Sequence, residues 1–205
     1  MGEKSLLVNQ TRSVLGGQFI GILGNNGSGK STFLKTLAGI IPPHKGQIFL
    51  KHRPIDFYST QELAQIRGYI PAEPLCFWSL QVKDILNILK DHPVVENLDL
   101  APLWNQSFHH LSSGEKARLM LAFQLSKNLN ILFVDEILSH LDDGYQIQVM
   151  DLLKEFTTKE RRTVVLTLHQ EVLAHIYCHQ VWHIQEECFV VKKRTPFIPH
   201  EIKTL

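Results

Sequence analysis

One segment restricts the fold more than any other: Gly24-Asn25-Asn26-Gly27-Ser28-Gly29-Lys30-Ser31, which fits the pattern GxxxxGK[ST]. It follows the apolar run Phe19-Ile20-Gly21-Ile22-Leu23. It precedes Ser31 to Ala38, which carries apolar residues at Phe33, Leu34 and Leu37 in helical spacing. Strand, glycine-rich turn and helix in that order are the context of a phosphate-binding P-loop. Glycines let the backbone curl so that successive N–H groups face phosphate oxygens. The helix that follows adds its positive N-terminal end. The binding set then runs over Gly24, Asn25, Asn26, Gly27, Ser28, Gly29, Lys30 and Ser31, with Thr32 next to it. Lys30 is placed to reach the β- and γ-phosphates, and Ser31 to offer its hydroxyl to Mg2+.

Further strand–helix alternations follow. Ile131-Leu132-Phe133-Val134 is a buried-strand run ending in two acids, and Tyr145 to Phe156 continues with helical spacing at Ile147, Met150 and Leu153. Thr163 to Leu168 is a third run, ending at His169. Ile48 to Leu50, Tyr69-Ile70, Val181 to Ile184 and Cys188 to Val191 read as shorter strands. Nearly continuous apolar runs suit parallel strands covered on both faces. The alternation therefore predicts an α/β fold with a mostly parallel sheet. Between Pro71 and Leu111 the character changes: Val82 to Lys90 is helix-like, and Trp104 and Phe108 follow in a loop-rich stretch. The expectation is a single domain over 1–205 with a small helical lobe inserted at about 72–128, and 205 residues suit one domain.

A P-loop alone does not choose among kinases, GTPases and transport ATPases. Asp135 and Glu136, at the end of an apolar strand, narrow the choice. Asp135 is placed to hold Mg2+, and Glu136 to orient and deprotonate an attacking water. Paired acids favour hydrolysis over transfer to a small molecule. Leu111-Ser112-Ser113-Gly114-Glu115 precedes a helix from about Lys116 to Ser126. Taken alone it reads as an S-x-x-E capping box. A helix N-terminus with serine hydroxyls and a bare glycine is also an anion site.

With these residues in order, the sequence resembles the ATP-binding cassette family of ATPases over roughly residues 14 to 190. Gly24 to Ser31 match its P-loop, 111–115 its LSGGQ signature (here LSSGE), and Ile131 to Asp135 its Walker B strand. Glu136 matches its catalytic glutamate, Ser139-His140-Leu141-Asp142 its D-loop (usually SALD), and His169 its switch histidine. The resemblance implies an α/β P-loop NTPase that binds ATP and Mg2+ and acts as a head-to-tail homodimer. Each ATP would lie between the P-loop of one chain and Ser112, Ser113 and Gly114 of the other. His169 would contact the γ-phosphate, Asp142 would couple the two sites, and Ser31 and Asp135 would hold the metal. The catalytic set would be Glu136, His169 and Lys30, and a membrane permease would receive the motion through the helical lobe.

Three departures from the family stand out. Aligning Gly68-Tyr69-Ile70-Pro71 with the family's GYVPQ puts Ala72 where a glutamine is usual, with Glu73 next. Only eighteen residues precede Phe19, and none is aromatic, so the usual adenine-stacking residue is missing there. Ile137 replaces a common proline.

Composition trims the alternatives. With 21 basic and 20 acidic residues the net charge is +1, which gives no reason to expect a nucleic-acid partner. No apolar run reaches the roughly 18 residues a membrane span needs, and the first residues show no leader pattern. Cys76, Cys178 and Cys188 form no CxxC pair, which argues against a disulfide framework or a zinc ribbon. His175 and His179, four apart, could in principle share a metal, but packing or surface roles are the simpler reading. Lys192-Lys193-Arg194 reads as a solvated tail.

The expected function is the ATP-hydrolysing subunit of a transporter, peripheral on the cytoplasmic membrane face. Ser59 to Ala64 resembles ATPases of metal-chelate and cobalamin importers, and the compact size resembles those of haem exporters. A weakly hydrolysing regulatory subunit is the alternative. DNA-repair and translation cassettes usually carry long coiled coils or two cassettes per chain, and neither is present.

Overall fold

The computed structural model describes residues 11–73, 80–90, 92–185 and 188–193, the last group and Gln185 as backbone only. The amino terminus before Thr11, Cys76 and Arg194 lie outside the described residues.

The P-loop strand sets the layering. In β1 (Phe19–Gly24), Phe19 and Leu23 point to one face, and Ile20 and Ile22 to the other. All four are buried, so both faces need a cover. Helix α1 (Lys30–Leu37) covers one with Phe33 and Leu34. A two-residue ribbon, β2 (Phe49–Leu50) and β3 (Arg53–Pro54), and helix α2 (Thr60–Ile66) lead to β4 (Arg67–Ile70). Helices α3 (Val82–Ile88), α4 (Val94–Asn97) and α5 (Ser113–Leu125) then precede β5 (Ile131–Val134). Helix α6 (Asp143–Thr158), β6 (Thr163–Thr167), α7 (Glu171–Tyr177), β7 (Gln180–Gln185) and β8 (Cys188–Lys193) follow among the described residues.

Six strands form one sheet in the order β4-β5-β6-β1-β7-β8. All neighbours run parallel except β8, which returns antiparallel on β7. The fold is therefore α/β with a mostly parallel sheet, as the alternation predicts. Leu132 and Val134 of β5 and Val164 and Leu166 of β6 join Phe19 in the core beneath α5 and α6. Phe133, Val165 and Trp182 face α1.

Several boundaries differ from the sequence expectation. Helix α5 begins at Ser113, so Ser113 and Gly114 belong to its first turn. The cause is the capping box: the Ser112 hydroxyl accepts from the Glu115 N–H at 3.2 Å, and Glu115 accepts from the Ser112 N–H at 2.8 Å. Helix α6 begins at Asp143 because Asp142 caps it, accepting from the Tyr145 N–H at 3.0 Å. The run at 48–50 forms no part of the main sheet; its strand pairs only with β3. His179 lies beyond α7 rather than on it, and its Nδ1 accepts from the Phe19 N–H at 2.9 Å. His175 instead approaches Glu171 at 3.4 Å. Among the described residues no cluster of His, Cys, Asp or Glu could hold a metal ion by those side chains alone.

Leu132 is fully buried at the centre of this packing. Leu132→Ala removes three carbons from a site that cannot collapse, because strands flank it on both sides. A loss of about 2–5 kcal/mol is expected, read as a lower urea midpoint with the slope unchanged.

Candidate active site

Parallel strands place their carboxyl ends on one edge, and in the order β5-β6-β1 three of those ends are neighbours. Loops from these strand ends are where α/β folds bind ligands. Here they bring together the P-loop after β1, Asp135 and Glu136 after β5, and His169 after β6.

The P-loop turns on Gly27 (φ 75°) and Gly29 (φ 94°), which precede α1 in left-handed conformation. A side chain there would be strained. The first-turn N–H groups of α1 have no partner within the helix, and its first turn carries no acid. Ser28 Oγ, in the middle of the loop, is buried with no hydrogen-bond partner. A buried hydroxyl left open beside free amide donors is what a phosphate cradle supplies. Lys30, 4% exposed, folds over the loop and donates to the carbonyls of Gly24 at 3.0 Å and Asn25 at 3.3 Å.

Asp135 is 2% exposed, and its carboxylate accepts three hydroxyl hydrogen bonds. Ser31 and Thr167 donate to Oδ1 at 3.0 and 2.8 Å, and Tyr69 donates to Oδ2 at 3.0 Å. Burial, and then the charge of Asp135, push the Tyr69 phenol well above its ordinary range, so it stays a donor. Ser31 and Asp135 form a hard-oxygen pair of the kind that suits Mg2+.

Glu136 sits at φ 44°, a left-handed conformation rare for glutamate. Two hydroxyls hold it there. Its N–H donates to Thr167 Oγ1 at 2.8 Å, and the Ser139 hydroxyl donates to its carbonyl at 2.6 Å. The side chain meets Lys30 Nζ and His169 Nε2, each 3.2 Å from Oε1. Burial raises the Glu136 pKa, but Lys30 and then His169 outweigh it, leaving the carboxyl below its ordinary value. Beside this group lies a cavity of about 290 Å³, lined in part by Glu136, Ser139, Gln146, Thr167, His169 and Gln170.

One cluster thus unites Lys30, Ser31, Asp135, Glu136 and His169 within the chain. Ser112, Ser113, Gly114 and Asp142 have other neighbours. Ser112 and Asp142 cap their own helices. Gly114 packs against the turn after β5, where a Cβ would meet the His140 carbonyl oxygen at 2.8 Å. Asn25, Asn26 and Thr32 lie on the loop and the start of α1. Sequence reasoning missed Thr167 and Tyr69. Thr167 carried a signal, a hydroxyl two residues before His169 on a strand ending beside Asp135. Tyr69 carried none without the strand order that sets β4 against β5.

The family model described as ABC transporter matches residues 8–139. An uncharacterised ABC transporter ATP-binding protein of Bacillus subtilis, YvrA, is 31% identical over 195 residues, covering 86% of this chain. This chain spans 44% of that relative's length. YusV of the same organism, a probable siderophore transport system ATP-binding protein, is 29% identical over 220 residues, covering 99% of this chain and 78% of its own. The solved structure of cbiO1 from Clostridium perfringens, part of the ABC transporter complex cbiONQ, has the same fold. It matches with a TM-score of 0.76 and 23% identity over 92% of this chain and 82% of that one.

The depressed pKa of Glu136 predicts an acid-sensitive contribution to stability. The ionised form is favoured by folding, so the contribution is complete above the ordinary value of 4.5 and is lost as pH falls through the lower folded value. Glu136→Gln should be less stable than the native chain near neutrality. The two unfolding curves should converge between about pH 5 and 3, as urea titrations at stepped pH would report.

Proposed function

The chain belongs to the ABC transporter ATP-binding family, a family of ATPases, and from that membership we propose that it is the ATP-hydrolysing subunit of an iron-chelate importer. The observation that carries the reading is the convergence of Lys30, Ser31, Asp135, Glu136 and His169 on adjacent strand ends. The resemblance of YusV, named for siderophore transport, supports an iron chelate as cargo. The stretch Ser59 to Ala64, similar to that of metal-chelate importers, opens helix α2, with Ser59 and Glu62 as its capping box.

In this reading the P-loop amides from Gly24 to Thr32 and the Ser28 hydroxyl receive the β- and γ-phosphates of ATP. Lys30 exchanges its loop carbonyls for phosphate oxygens. Ser31 and Asp135 would hold Mg2+, which when bound would supply positive charge to the phosphates. Thr167 and Tyr69 keep Asp135 aimed at that position.

Glu136 is a weak base while Lys30 lies against it. Movement of Lys30 onto phosphate withdraws that cation, and the carboxylate then gains basicity. It is left with His169, 3.2 Å away, and the two would fix an attacking water beside the γ-phosphate. Ser112, Ser113, Gly114 and Asp142, which make no described bond to this cluster, serve a second copy of the chain. That copy closes head to tail over the ATP.

The single domain proposed for 1–205 uses its helical lobe, about 72–128, to meet a membrane permease. Among the described residues no helix is long and apolar enough to cross a membrane. A permease contact would hold the subunit peripherally at the cytoplasmic face.

Two measurements decide the reading. Glu136→Gln should bind Mg-ATP, lose at least about 100-fold in hydrolysis, and elute as a dimer under saturating Mg-ATP. Lys30→Ala should remain monomeric under the same conditions. A Glu136→Gln chain that stays monomeric would count against the dimer mechanism and favour a weakly hydrolysing regulatory subunit. Gentle solubilisation of the tagged chain should recover a polytopic membrane protein; recovery with soluble partners alone would count against a transporter.

A further inference from the structure

His140 stands where the family's D-loop usually has alanine, and nothing in the mechanism above uses it. Its position in the fold is specific. It ends the 3-10 turn Ile137–His140 that follows Glu136, and Leu141 and the helix cap Asp142 come directly after it. The turn is seated in the core by Ile137, Leu138 and Leu141, all buried. His140 itself is half-buried.

Two contacts reach it from opposite ends of one segment. Its Nε2 lies 2.7 Å from the carbonyl oxygen of Ala72. A carbonyl only accepts, so Nε2 carries the hydrogen and donates. Ala72 is where the chain leaves the sheet after β4 on its way to α3. The backbone oxygen of His140 lies against Gly114, in the first turn of α5, with no room for a Cβ between them. The departure and the return of the helical segment therefore meet at a single residue.

The tie extends one that begins inside the sheet. Asp135 donates its N–H to the Ile70 carbonyl at 2.9 Å, and Tyr69 donates to the Asp135 carboxylate. Past Ile70 the two strands diverge: the His140 bond ties the exit of the segment to the turn after Glu136, while Tyr145 and Gln148 of α6 hold its far end, donating to the Asp99 carboxylate and the Asn97 carbonyl. A displacement of the segment at its Ala72 end pulls on this bond, and through it on the short turn that follows Glu136.

We propose that His140 is a positioning residue, which couples the helical segment to the catalytic turn by donating to the Ala72 carbonyl. The proposal rests on the ATPase reading of Glu136. The position of the helices then reaches the carboxylate through one hydrogen bond and four residues of backbone.

The test compares three variants of the full chain by steady-state ATP hydrolysis and by amide hydrogen exchange. His140→Phe keeps the ring and removes the donor. His140→Ala removes both, and His140→Gln returns an N–H donor near the Nε2 position. Loss of an interaction that orients a catalytic group should lower kcat about tenfold in the Phe and Ala variants, with KM for ATP changed less than about twofold. The Gln variant should recover most of the rate. The amides of Ile70, Ala72 and Glu73 should exchange faster in the Phe and Ala variants than in the Gln variant. Native kcat in His140→Phe, or a loss that His140→Gln does not relieve, overturns the proposal. Absence of hydrolysis by the native chain would instead overturn the ATPase reading, and the exchange comparison would still decide whether the tie exists.

Discussion

The site depends on one buried carboxylate. Asp135 is almost wholly removed from water, and an ion in that position is tolerated only if it is richly hydrogen-bonded. Its partners come from three different elements: Ser31 from α1, Thr167 from β6 and Tyr69 from β4. The requirement for donors thus clamps the P-loop helix and the ends of neighbouring strands to one point. Thr167 extends the clamp by accepting from the Glu136 N–H, which helps to hold that residue in its unusual backbone conformation. An apolar residue at 135 would release all three hydroxyls at once.

Around this anchor the charges form a balanced set. Lys30 is buried and needs acceptors; it finds two loop carbonyls and the Glu136 carboxylate. Glu136 shares the same oxygen with His169. Each group is held by partners that a phosphate could replace, because the carbonyls and the carboxylate offer what phosphate oxygens offer. The arrangement is stable and still exchangeable, and both are needed where a charged substrate must enter and leave.

The sequence made the fold class and the core of the site legible for a physical reason. A P-loop demands glycines at fixed offsets. A two-sided parallel sheet demands continuous apolar runs, as in Thr163–Thr167, where all five residues are buried. Acids at the end of such a run can only lie at the strand-end edge. What stayed hidden depends on which strands are neighbours. Tyr69 and Asp135 are 66 residues apart, and no local pattern announces their meeting. Ala72 was visible only as a departure from a family pattern and His140 only as part of the D-loop match, with nothing to join them. His179, read on helical spacing as a possible partner of His175, is instead bound to the backbone of Phe19 because the helix stops at Tyr177. Helix starts shifted for a related reason: capping side chains, rather than apolar periodicity, decide where a helix begins.

The strand order also governs when the chain can assemble. The phosphate-binding strand is bonded on one side to residues 164–167 and on the other to 180–184. Both partners lie about 140 residues or more further along. Contacts of such long separation form slowly, because the intervening chain must first be brought into place. During synthesis Phe19 to Leu23 leaves the ribosome as an apolar strand with no edge to join. It must wait through the making of every helix from α1 to α6. The nucleotide cradle, written near the start of the chain, is among the last parts of the molecule to acquire its shape, and the waiting strand is what a nascent-chain chaperone would have to shield.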